Sequence, residues 1–401
     1  MSTSLDRVRK GDLCTGCGAC VLAAPAAITM QLAPPGYLRP ALSAPLTDAQ
    51  DARIAATCPG LTLTQEARGT RADAIWGPYQ EARTGHATDP DLRHHASSGG
   101  GLSALLIHAL ATGQIDAVIQ TGADPDRPVG NIPTISVSQA DISAAAGSRY
   151  APSAPLAALE PILADIDRRF AFVGKPCDVT ALRAVARLDP RVDARIPLML
   201  SFFCAGVPSL AGADKVVETL GFDPGQITAF RYRGDGWPGF AKATHKDGRE
   251  ARMSYHDSWG KILSSHVQHR CKICPDGTGG AADVVCADIW DCDAAGYPLF
   301  DEADGVSLIL SRSETGEALV RAARSAGRIE TRPFEMDTLG PIQPGQHNRK
   351  RYLIARLAAL RLLGRKVPEM TGYTLMAAAR HGAVMAHLRN FAGTLKRALR
   401  R

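Results

Sequence analysis

The sequence predicts an α/β fold, in which a core with a mixed or parallel sheet follows a small, loop-rich unit. Three apolar runs, at residues 117–120, 169–173 and 196–203, have the length and composition of buried strands. Helical segments separate these runs, and Asp178 and Ser209 are placed to cap the helices that follow the second and third strands. Strands that alternate with helices favour parallel pairing, so the sequence predicts an α/β core.

The 401 residues divide into three parts. Residues 1–65 form a small unit that is bounded by cysteines and rich in prolines, which interrupt long elements. Residues 66–370 form the α/β core, with an apolar helix over 102–110 and a further helix over 349–363. Residues 371–401 are predicted to form a basic C-terminal helix.

Composition and charge exclude several classes of protein. Hydrophobic residues make up 45% and charged residues 21% of the chain, as in a globular protein with an ordinary core. The net charge of +6 comes with only 5% aromatic residues, which is not typical of a nucleic-acid-binding protein. No stretch approaches the roughly 20 apolar residues of a membrane helix, and no signal peptide is recognisable. We therefore expect a cytoplasmic protein whose ten cysteines are metal ligands or redox groups.

The first cysteine motif has the C-x2-C-x2-C spacing of Cys14, Cys17 and Cys20. This compact loop can place three thiolates around a 4Fe–4S cluster, and the glycines inside it permit a tight turn. Bacterial ferredoxins with two clusters continue the motif with a further cysteine, but Ala24 stands there. Cys58 is the natural fourth ligand, so the small unit is predicted to be ferredoxin-like with one cluster. The alternatives are a zinc site or free thiols, although zinc sites favour paired C-x2-C knuckles.

Six further cysteines allow two groupings. Two follow predicted strands, two form a C-x2-C pair and two follow that pair, namely Cys177 and Cys204, Cys271 and Cys274, and Cys286 and Cys292. The C-x2-C pair with the last two would make a zinc knuckle, which spacing alone favours. The C-x2-C pair with the strand-end cysteines is the other grouping, although a strand-end cysteine is more often a small buried apolar residue.

A glycine-rich segment, Ser97-Ser98-Gly99-Gly100-Gly101, opens the predicted helix over 102–110. Free backbone N–H groups and the helix dipole make such an entrance a suitable cradle for a phosphate group. The alternative is that these glycines only cap the helix.

Several motifs together resemble the coenzyme F420 hydrogenase/dehydrogenase beta subunit family. The resemblance covers about residues 11–370 and rests on the first cysteine motif, Ser97-Ser-Gly-Gly100, Gly174-Lys-Pro-Cys177, Cys204-Ala-Gly-Val-Pro208, Arg233-Gly-x-Gly-Trp-Pro238, Cys271-x2-Cys274-x-Asp276, Ala282-Asp283 and Asp288-x-Trp290. The family implies flavin enzymes with one or two 4Fe–4S clusters, of which some reduce deazaflavins and others chlorophyll-type pigments.

The resemblance also implies which residues hold the cofactors. A second 4Fe–4S cluster would be held by the strand-end cysteines and the C-x2-C pair, that is by Cys177, Cys204, Cys271 and Cys274. FAD would lie at the cradle of Ser97, Ser98, Gly99 and Gly100. Arg149, in a segment that resembles a family segment near the flavin, would grip phosphate, and Lys175 would stabilise negative charge on the reduced flavin.

The sequence departs from the family in two places. Ala287 stands where the family usually has glycine, and Cys286 and Cys292 fall outside its usual ligand set. These departures leave the ligands of the second site open.

The sequence therefore predicts an iron–sulfur flavoprotein oxidoreductase that passes electrons between a one-electron donor, 4Fe–4S clusters, FAD and a small molecule such as a deazaflavin or a tetrapyrrole. Its expected partners are a ferredoxin-like or other redox protein and the small-molecule substrate, without nucleic acid, and homo-oligomerisation is left open. The alternatives are a non-catalytic electron-transfer subunit of a larger redox complex and a zinc-bearing structural protein.

The basic helix predicted over residues 375–401 has two interpretations. It is either a solvated helix packed on the domain, or a docking face for an acidic electron donor or a membrane surface.

Overall fold

The structure is a computed structural model that describes residues 3–290, 292–293, 299 and 301–400. Its strands are β1 (Ile28–Ala33), β2 (Tyr37–Leu42), β3 (Thr62–Thr64), β4 (Arg71–Asp73), β5 (Gly77–Tyr79), β6 (Glu81–Ala87), β7 (Ala117–Ala123), β8 (Asn131–Ser136), β9 (Phe170–Val173), β10 (Leu198–Phe202), β11 (Ile227–Arg231), β12 (Phe240–His245), β13 (Glu250–Ser254), β14 (Val284–Asp288), β15 (Ser307–Ser311), β16 (Ile329–Pro333) and β17 (Glu369–Thr371).

The α-helices connect and cover these strands. They are α1 (Thr3–Gly11), α2 (Ala19–Ala23), α3 (Asp48–Thr57), α4 (Pro90–His95), α5 (Gly101–Ala111), α6 (Gln139–Ala144), α7 (Glu160–Ala164), α8 (Pro176–Ala186), α9 (Arg191–Arg195), α10 (Leu210–Thr219), α11 (His269–Lys272), α12 (Glu314–Ser325), α13 (Leu339–Ile342), α14 (Pro344–Arg351), α15 (Leu353–Leu362), α16 (Leu375–Arg380) and α17 (Val384–Leu399).

An eight-stranded sheet in the order β16-β6-β15-β14-β10-β9-β7-β8 forms the centre of the molecule. The pairs β7–β9, β9–β10 and β10–β14 are parallel, and the remaining pairs in this sheet are antiparallel. The prediction of an α/β core with a mixed or parallel sheet is therefore confirmed, and the sheet is mixed. The predicted strands over 117–120, 169–173 and 196–203 correspond to β7, β9 and β10.

Both faces of the central sheet are covered by helices. In β9, Phe170 and Phe172 pack in one apolar cluster with residues of α8, whereas Ala171 and Val173 pack in another with residues of α5 and α12. Successive side chains of a strand point to opposite faces, so a continuous apolar strand is expected where both faces are buried. This explains why β9 and β10 have nearly uninterrupted apolar sequences.

The small unit contains more regular structure than its prolines suggest. Strands β1 and β2 form an antiparallel hairpin, and α3 begins with a capping box in which Thr47 and Gln50 satisfy each other's backbone N–H groups. Strand β17 pairs in parallel with β3. Residues 369–371 are therefore hydrogen-bonded to residues 62–64, whereas the division of the chain at 65 and 370 stays a prediction.

Two predicted helices are each divided in the structure. The helix predicted over 349–363 is part of α14 and α15, which are separated at Tyr352, where φ is −102°. The helix predicted over 375–401 is two helices, α16 and α17; Arg401 lies outside the described residues. At the second break, a Cβ on Gly382 would lie 2.5 Å from the His387 ring, so glycine permits the close turn between the helices.

Of the two helix caps predicted from the sequence, one is confirmed and one is wrong. Ser209 caps α10, since its hydroxyl accepts a hydrogen bond from the Gly212 N–H. Asp178, predicted as the cap of α8, lies inside the first turn instead, and Lys175 occupies the cap position. Asp178 still accepts the Lys175 N–H at 3.0 Å, so it satisfies a backbone donor from within the helix.

Candidate functional site

A cavity of about 520 Å³ lies at the carboxyl ends of the parallel strands β9, β10 and β14. Residues that follow each of these strands line it, including Lys175 after β9, Cys204 after β10 and Trp290 after β14. Ligands of open α/β sheets bind outside the carboxyl ends of the strands, and pockets for small molecules commonly have this size. The cavity is therefore the candidate functional site.

The glycine-rich segment forms part of the cavity wall, where it leads into α5. Gly100 is the cap residue of α5 and has φ of 71°, a conformation that favours glycine. A Cβ on Gly99 would lie 2.8 Å from the Ser307 backbone nitrogen, so only glycine lets the segment pack against β15. Because the first N–H groups of a helix have no partner within it, the start of α5 can bind an anion.

The two serines of this segment have different hydrogen bonds. Ser98 Oγ donates its proton to the Val306 carbonyl at 3.1 Å, so this proton is already used in a hydrogen bond within the protein. Ser97 Oγ accepts from Ser148 Oγ at 2.9 Å, which leaves its own O–H available. Ser97, rather than Ser98, is therefore the hydroxyl that can donate to a ligand in the cavity.

Lys175 is a buried cation in the cavity wall. Its Nζ lies 2.7 Å from Asp178 Oδ2 and donates to Ser153 Oγ at 3.0 Å. Burial opposes its charge, but the carboxylate of Asp178 and the thiol of Cys177 raise the pKa of Lys175 above its usual range. Lys175 is therefore charged at neutral pH and paired with the carboxylate of Asp178, and its role in stabilising a negative charge on a ligand stays a prediction.

Arg149 lines the cavity, but most of its guanidinium hydrogen-bonds to other residues of the protein. Its Nε donates to Asn131 Oδ1 at 2.6 Å, and one terminal nitrogen donates to the Pro128 and Gly130 carbonyls at 2.8 and 2.7 Å. The fork that would bind phosphate in a bidentate manner is thus largely used to hold the loop before β8. The prediction that Arg149 grips a phosphate group stays untested, and these contacts favour a positioning role.

An arginine and aromatic rings form another wall of the cavity. Arg233 makes a bidentate ion pair with Asp288 at 2.7 and 3.0 Å. Its guanidinium carbon lies 4.9 Å from the centre of the Tyr255 ring and 4.8 Å from that of the Trp290 ring, and these two rings stack on each other with centres 5.9 Å apart. Burial opposes the charge of Arg233, but Asp288 raises its pKa, so the cation persists. Trp237 stacks on Trp290 at 4.8 Å and donates to Asp288, which places it behind this wall.

The start of α14 also borders the cavity, through Gln343, Pro344, Gly345 and Gln346. Gln343 Nε2 donates to the Asp288 carbonyl at 2.7 Å. Further along this helix, Arg349 donates to the carbonyls of Cys204 and Ala205 at 3.0 and 2.6 Å. Helix α14 therefore holds the ends of β10 and β14 in place.

The sequence analysis did not select the aromatic wall or the start of α14 as site residues. Arg233, Asp288 and Trp290 belong to the motifs of the family resemblance, which was the signal available. Pro344 at the first position of a helix was a local signal for the start of α14. Neither signal revealed that these residues face the cradle across one cavity, because they lie far from it in sequence.

The first four cysteines lie close enough to influence one another; Cys17 is buried, and Cys14, Cys20 and Cys58 are half-buried. Burial raises the pKa of Cys58 to about 12, and the neighbouring thiols of Cys17 and Cys14 contribute to this rise. The pKa of Cys20 is likewise raised well above its usual range, by burial and then by Cys17, Cys14 and Cys58. A thiol must lose its proton to bind a metal. Four neighbouring thiolates repel one another, so a cationic group bound between them would relieve this repulsion.

The loop around the first cysteines is shaped by glycine and backed by the core. Gly18 has φ of 88°, and a Cβ there would lie 2.6 Å from the Ala157 nitrogen. Cys17 accepts the Leu156 N–H through its carbonyl at 3.0 Å. Burial raises the pKa of the Cys17 thiol to about 11, and the carboxylate of Asp178 contributes to this rise, so the first set lies close to the start of α8.

The second set of cysteines combines the strand-end cysteines with the C-x2-C pair. Burial raises the pKa of Cys204 to about 12, with contributions from Cys271 and Cys274. The pKa of Cys177 is raised well above its usual range by burial and Asp178, and also by Cys204 and Cys271. The Val207 N–H donates to Cys271 Sγ at 3.4 Å, the type of contact that stabilises a bound thiolate.

The remaining two cysteines have different surroundings. The pKa of Cys286 is raised to about 12 by burial alone, so no other thiol contributes to it. Cys292 Sγ lies 3.6 Å from the Trp290 carbonyl. Within residues 3–290, 292–293, 299 and 301–400, no three histidine, cysteine, aspartate or glutamate side chains are gathered around a point where one metal ion would fit.

This last finding bears on the zinc knuckle. A tetrahedral zinc ion holds its sulfurs at about 2.3 Å, so its ligands must lie very close together. The four cysteines of the zinc knuckle all lie in the described part of the chain and are not gathered in that way, but neither are those of the other grouping, so this finding does not decide between the two. The thiols that raise one another's pKa instead favour Cys177, Cys204, Cys271 and Cys274 as one group.

Two family models match the chain, and both describe the coenzyme F420 hydrogenase/dehydrogenase beta subunit. The model of its N-terminal part matches residues 82–160, and the model of its C-terminal part matches residues 167–337. Together they cover more than half of the chain, including the cradle, the aromatic wall and the second set of cysteines.

Curated relatives are similar over most of the chain. The coenzyme F420 hydrogenase subunit beta of Methanococcus voltae is 26% identical over 271 residues, which are 65% of this chain and 86% of the relative. The protein of the same name from Methanothermobacter thermautotrophicus is 24% identical over 73% of this chain and 99% of its own length. The chloroplastic 7-hydroxymethyl chlorophyll a reductase of Oryza sativa is 24% identical over 69% of this chain and 60% of the relative.

Among solved structures, a chain of the F420-reducing NiFe hydrogenase complex from Methanosarcina barkeri has a similar fold. The TM-score is 0.55 with 22% identity, and the match covers 72% of this chain and 95% of that chain. At this identity the likeness concerns the fold alone.

Proposed function

Because the chain belongs to the coenzyme F420 hydrogenase/dehydrogenase beta subunit family, we propose that it is an iron–sulfur flavoprotein oxidoreductase. It passes electrons between a one-electron donor, two 4Fe–4S clusters and FAD, and reduces or oxidises a small molecule such as a deazaflavin or a tetrapyrrole. The names of the relatives, which include an F420 hydrogenase subunit and a chlorophyll reductase, support a redox role. One observation carries the proposal: a single cavity is lined by the cradle, by buried Lys175 and by Cys204 of the second set.

The cysteines fit the proposed clusters by their chemistry. Cys14, Cys17, Cys20 and Cys58 would hold the first cluster, and Cys177, Cys204, Cys271 and Cys274 the second. Each set contains thiols that raise one another's pKa, and backbone N–H groups lie near the sulfurs of Cys58 and Cys271. A flavin exchanges electrons in pairs or singly whereas a 4Fe–4S cluster exchanges one, so these cofactors together would connect two-electron and one-electron reactions.

The start of α8 links the two sets of cysteines to the cavity. Asp178 acts electrostatically on both Cys17 and Cys177 and forms an ion pair with Lys175. One helical turn thus carries a residue of the second set, the cation of the cavity and the carboxylate next to the first set. This arrangement supports a route from the first set, through the second, to the ligand in the cavity.

The residues of the cavity have distinct proposed roles toward a flavin. The N–H groups at the start of α5 and the hydroxyl of Ser97 would bind phosphate. Lys175 would keep a positive charge beside the ring system, which favours its reduced, anionic form. Arg149 would hold the loop before β8 and Asn131, the first residue of β8, which lines the cavity.

The aromatic wall supports a flat substrate. The guanidinium of Arg233 lies beside the stacked rings of Tyr255 and Trp290, and burial raises the pKa of Tyr255 well above its usual range, so its phenol stays protonated. Aromatic faces bind planar conjugated molecules by stacking. Deazaflavins and tetrapyrroles are both large planar systems.

The test is anaerobic purification of the full chain with analysis of metal and flavin, followed by reduction with a one-electron donor. We expect about eight irons per chain, since each of two clusters contains four, and FAD released on denaturation. Absorbance of the flavin and clusters should bleach with dithionite and recover with a deazaflavin or tetrapyrrole acceptor. Colourless protein with stoichiometric zinc and no iron would rule the proposal out.

A second candidate is a non-catalytic electron-transfer subunit of a larger redox complex. It is supported by the relatives that are themselves named as subunits of hydrogenases or formate dehydrogenases. The same preparation separates the candidates. An isolated chain that is reoxidised by a small-molecule acceptor is an enzyme by itself, whereas one that exchanges electrons only with another redox protein is a subunit.

A further inference from the structure

The positive charge of the chain is concentrated in its last 41 residues. Residues 361–401 contain nine of the 46 lysines and arginines but only one of the 40 acidic residues. Their formal charge is therefore +8, and that of the other 360 residues is −2. A local excess of this size attracts a negatively charged surface.

One side of helix α17 is fixed against the protein. Thr394 and Ala398 are buried, and Ala398 packs in an apolar cluster with residues of α15. Arg356 of α15 donates to Asn390 Oδ1 at 3.0 Å, and Arg365 donates to the Ala398 carbonyl at 3.2 Å. These contacts set the rotation of the helix about its axis.

The opposite side of α17 carries exposed aliphatic side chains. Met385, Leu388 and Leu399 are 59%, 56% and 73% exposed, and Val384 at the start of the helix is 75% exposed. At 100° per residue, Met385, Leu388 and Leu399 fall in one arc, which we call the apolar stripe. Aliphatic residues so exposed and aligned on one helix indicate an interaction surface.

Basic residues border the apolar stripe. Arg389, Lys396 and Arg400 are exposed and occupy the adjoining arc of the helix. A helix with an apolar face next to a basic face, and about 24 Å long at 1.5 Å per residue, has the form of a helix that lies in a membrane interface.

An anionic lipid surface fits these features better than an acidic protein. Both would neutralise the basic residues, but the apolar stripe contains flexible aliphatic side chains without an exposed aromatic ring. Lysine is depleted from protein interfaces, whereas a helix in a membrane interface combines leucine on its apolar face with lysine and arginine on its polar face, as Leu388, Leu399, Lys396 and Arg389 do here. None of the helices in the described residues has both the length and the apolar composition needed to cross a bilayer.

We propose that α17 binds the surface of an anionic membrane, with its apolar stripe inserted among the lipid headgroups and Arg389, Lys396 and Arg400 on the phosphates. This proposal does not depend on the cofactors or the reaction. It places the protein at a bilayer without a membrane-spanning segment in the described structure.

The experiment is flotation of the full chain with vesicles of phosphatidylcholine, with and without phosphatidylglycerol. We expect binding to the anionic vesicles that weakens with added salt, and much weaker binding to the neutral ones. Arg389→Glu with Lys396→Glu should weaken binding at least about tenfold, because each basic residue near such a surface contributes about a factor of five. Met385→Ser with Leu388→Ser should weaken it comparably by removing the inserted side chains.

Matched controls change equally exposed residues elsewhere. Arg324→Glu with Lys246→Glu makes the same change in net charge, and Ile166→Ser with Leu188→Ser removes side chains that are 73% and 51% exposed. These variants should bind like the wild type. Equal binding to neutral and anionic vesicles, or equal losses in controls and α17 variants, would overturn the proposal. So would a chain that ignores vesicles but loses salt-dependent reaction with an acidic ferredoxin in the α17 variants, since α17 would then be a protein-docking face.

Discussion

At the scale of single residues, the surroundings of the ten cysteines differ more than their spacing suggests. Eight thiols belong to two groups within which they raise one another's pKa or act on a common member. Cys286 is buried, as is Cys17, whereas the other seven are half-buried, yet the pKa of Cys286 is raised by burial alone. The proximity of another thiol, and not burial, therefore distinguishes a candidate ligand from a buried apolar residue.

Single substitutions can test the second set. Cys204→Ala should remove about half of the iron from a chain with two clusters, because three thiolates hold a cubane less firmly than four. It should also block reduction of the flavin by a one-electron donor. Cys286→Ala is the matched control: it removes a buried thiol of similar pKa and should leave iron nearly intact. Iron analysis of the two anaerobic proteins is the measurement, and the reverse pattern, with loss of metal only from Cys286→Ala and Cys292→Ala, would favour the zinc knuckle.

The two serines of the cradle form a second pair for comparison. Ser97→Ala should weaken FAD binding roughly tenfold or more, since a hydrogen bond to a charged group contributes about 1.5–3 kcal/mol. Ser98→Ala should have a smaller effect on FAD affinity, because the Ser98 hydroxyl donates to the Val306 carbonyl, and should mainly lower the melting temperature. Fluorescence titration of the flavin-free proteins measures both affinities. Equal losses from the two substitutions would contradict the assignment.

At the scale of elements, the site depends on how helices attach to the edges of the sheet. Helix α12 is tied to β6 by Arg83, whose two terminal nitrogens each lie 2.8 Å from a carboxylate oxygen of Glu317. Glu317 also accepts from Ser311 Oγ of β15 at 2.6 Å. This carboxylate therefore joins α12 to two neighbouring strands, and β15 is the strand against which the cradle packs.

The contribution of Glu317 should depend on pH. Burial opposes its charge, but Arg83 and Ser311 prevail and hold its pKa below the usual range. A carboxyl group with a lowered folded pKa stabilises the protein above its unfolded pKa, near 4.5, and this contribution is lost as the pH falls through the folded value. Glu317→Gln should therefore cost about 2 kcal/mol at pH 7, seen as a melting temperature lower by a few degrees, and much less at pH 3.5.

The control for this substitution is Glu330→Gln in β16. The Glu330 side chain is 72% exposed and lies 3.7 Å from His86, so its removal should change the melting temperature little at either pH. A constant difference between wild type and Glu317→Gln from pH 7 to pH 3.5 would mean that the carboxylate is not what joins α12 to the sheet.

At the scale of the whole molecule, the two sets of cysteines connect distant parts of the chain. The first set spans residues 14–58, and the second joins the ends of β9 and β10 to the segment that contains α11. A bound cluster would restrain all the segments that supply its ligands, because metal binding to a folded site adds to folding stability. The clusters are therefore expected to support the shape of the cavity as well as to carry electrons.

Removal of the clusters should lower global stability. Anaerobic oxidation followed by chelation of iron should reduce the melting temperature by several degrees and loosen FAD, since Cys204 lines the same cavity as the cradle. The measurement is a thermal melt with flavin release followed in parallel, and the same treatment of Cys204→Ala should have a smaller effect. An unchanged melting temperature after complete loss of iron would mean that the cysteines are held together by the fold alone.

Much of the architecture was accessible from the sequence. The central strands are continuous apolar runs because both of their faces are buried, and the glycines of the cradle are required by local geometry at Gly100 and close packing at Gly99. The spacing of Cys14, Cys17 and Cys20 indicates a compact group, and the partners of the C-x2-C pair that the family resemblance implies stay a prediction. These signals are local, or are carried by several motifs together.

The breaks at Tyr352 and Gly382 and the face of α17 that remains exposed could not be predicted from periodicity, because packing between helices decides them. Sequence spacing alone favoured grouping Cys271 and Cys274 with Cys286 and Cys292, whereas the fold brings the ends of β9 and β10 to the pair and leaves Cys286 in the sheet. Arg149 and Ser98 donate hydrogen bonds to backbone carbonyls of residues that are distant in sequence. The aromatic wall near Arg233 is likewise formed by residues far apart in the chain. The sequence by itself determined which chemical groups are present and which strands are buried. Only the tertiary structure decided which of those groups meet, because parallel strands bring their carboxyl ends to one edge of the sheet however far apart they lie in sequence.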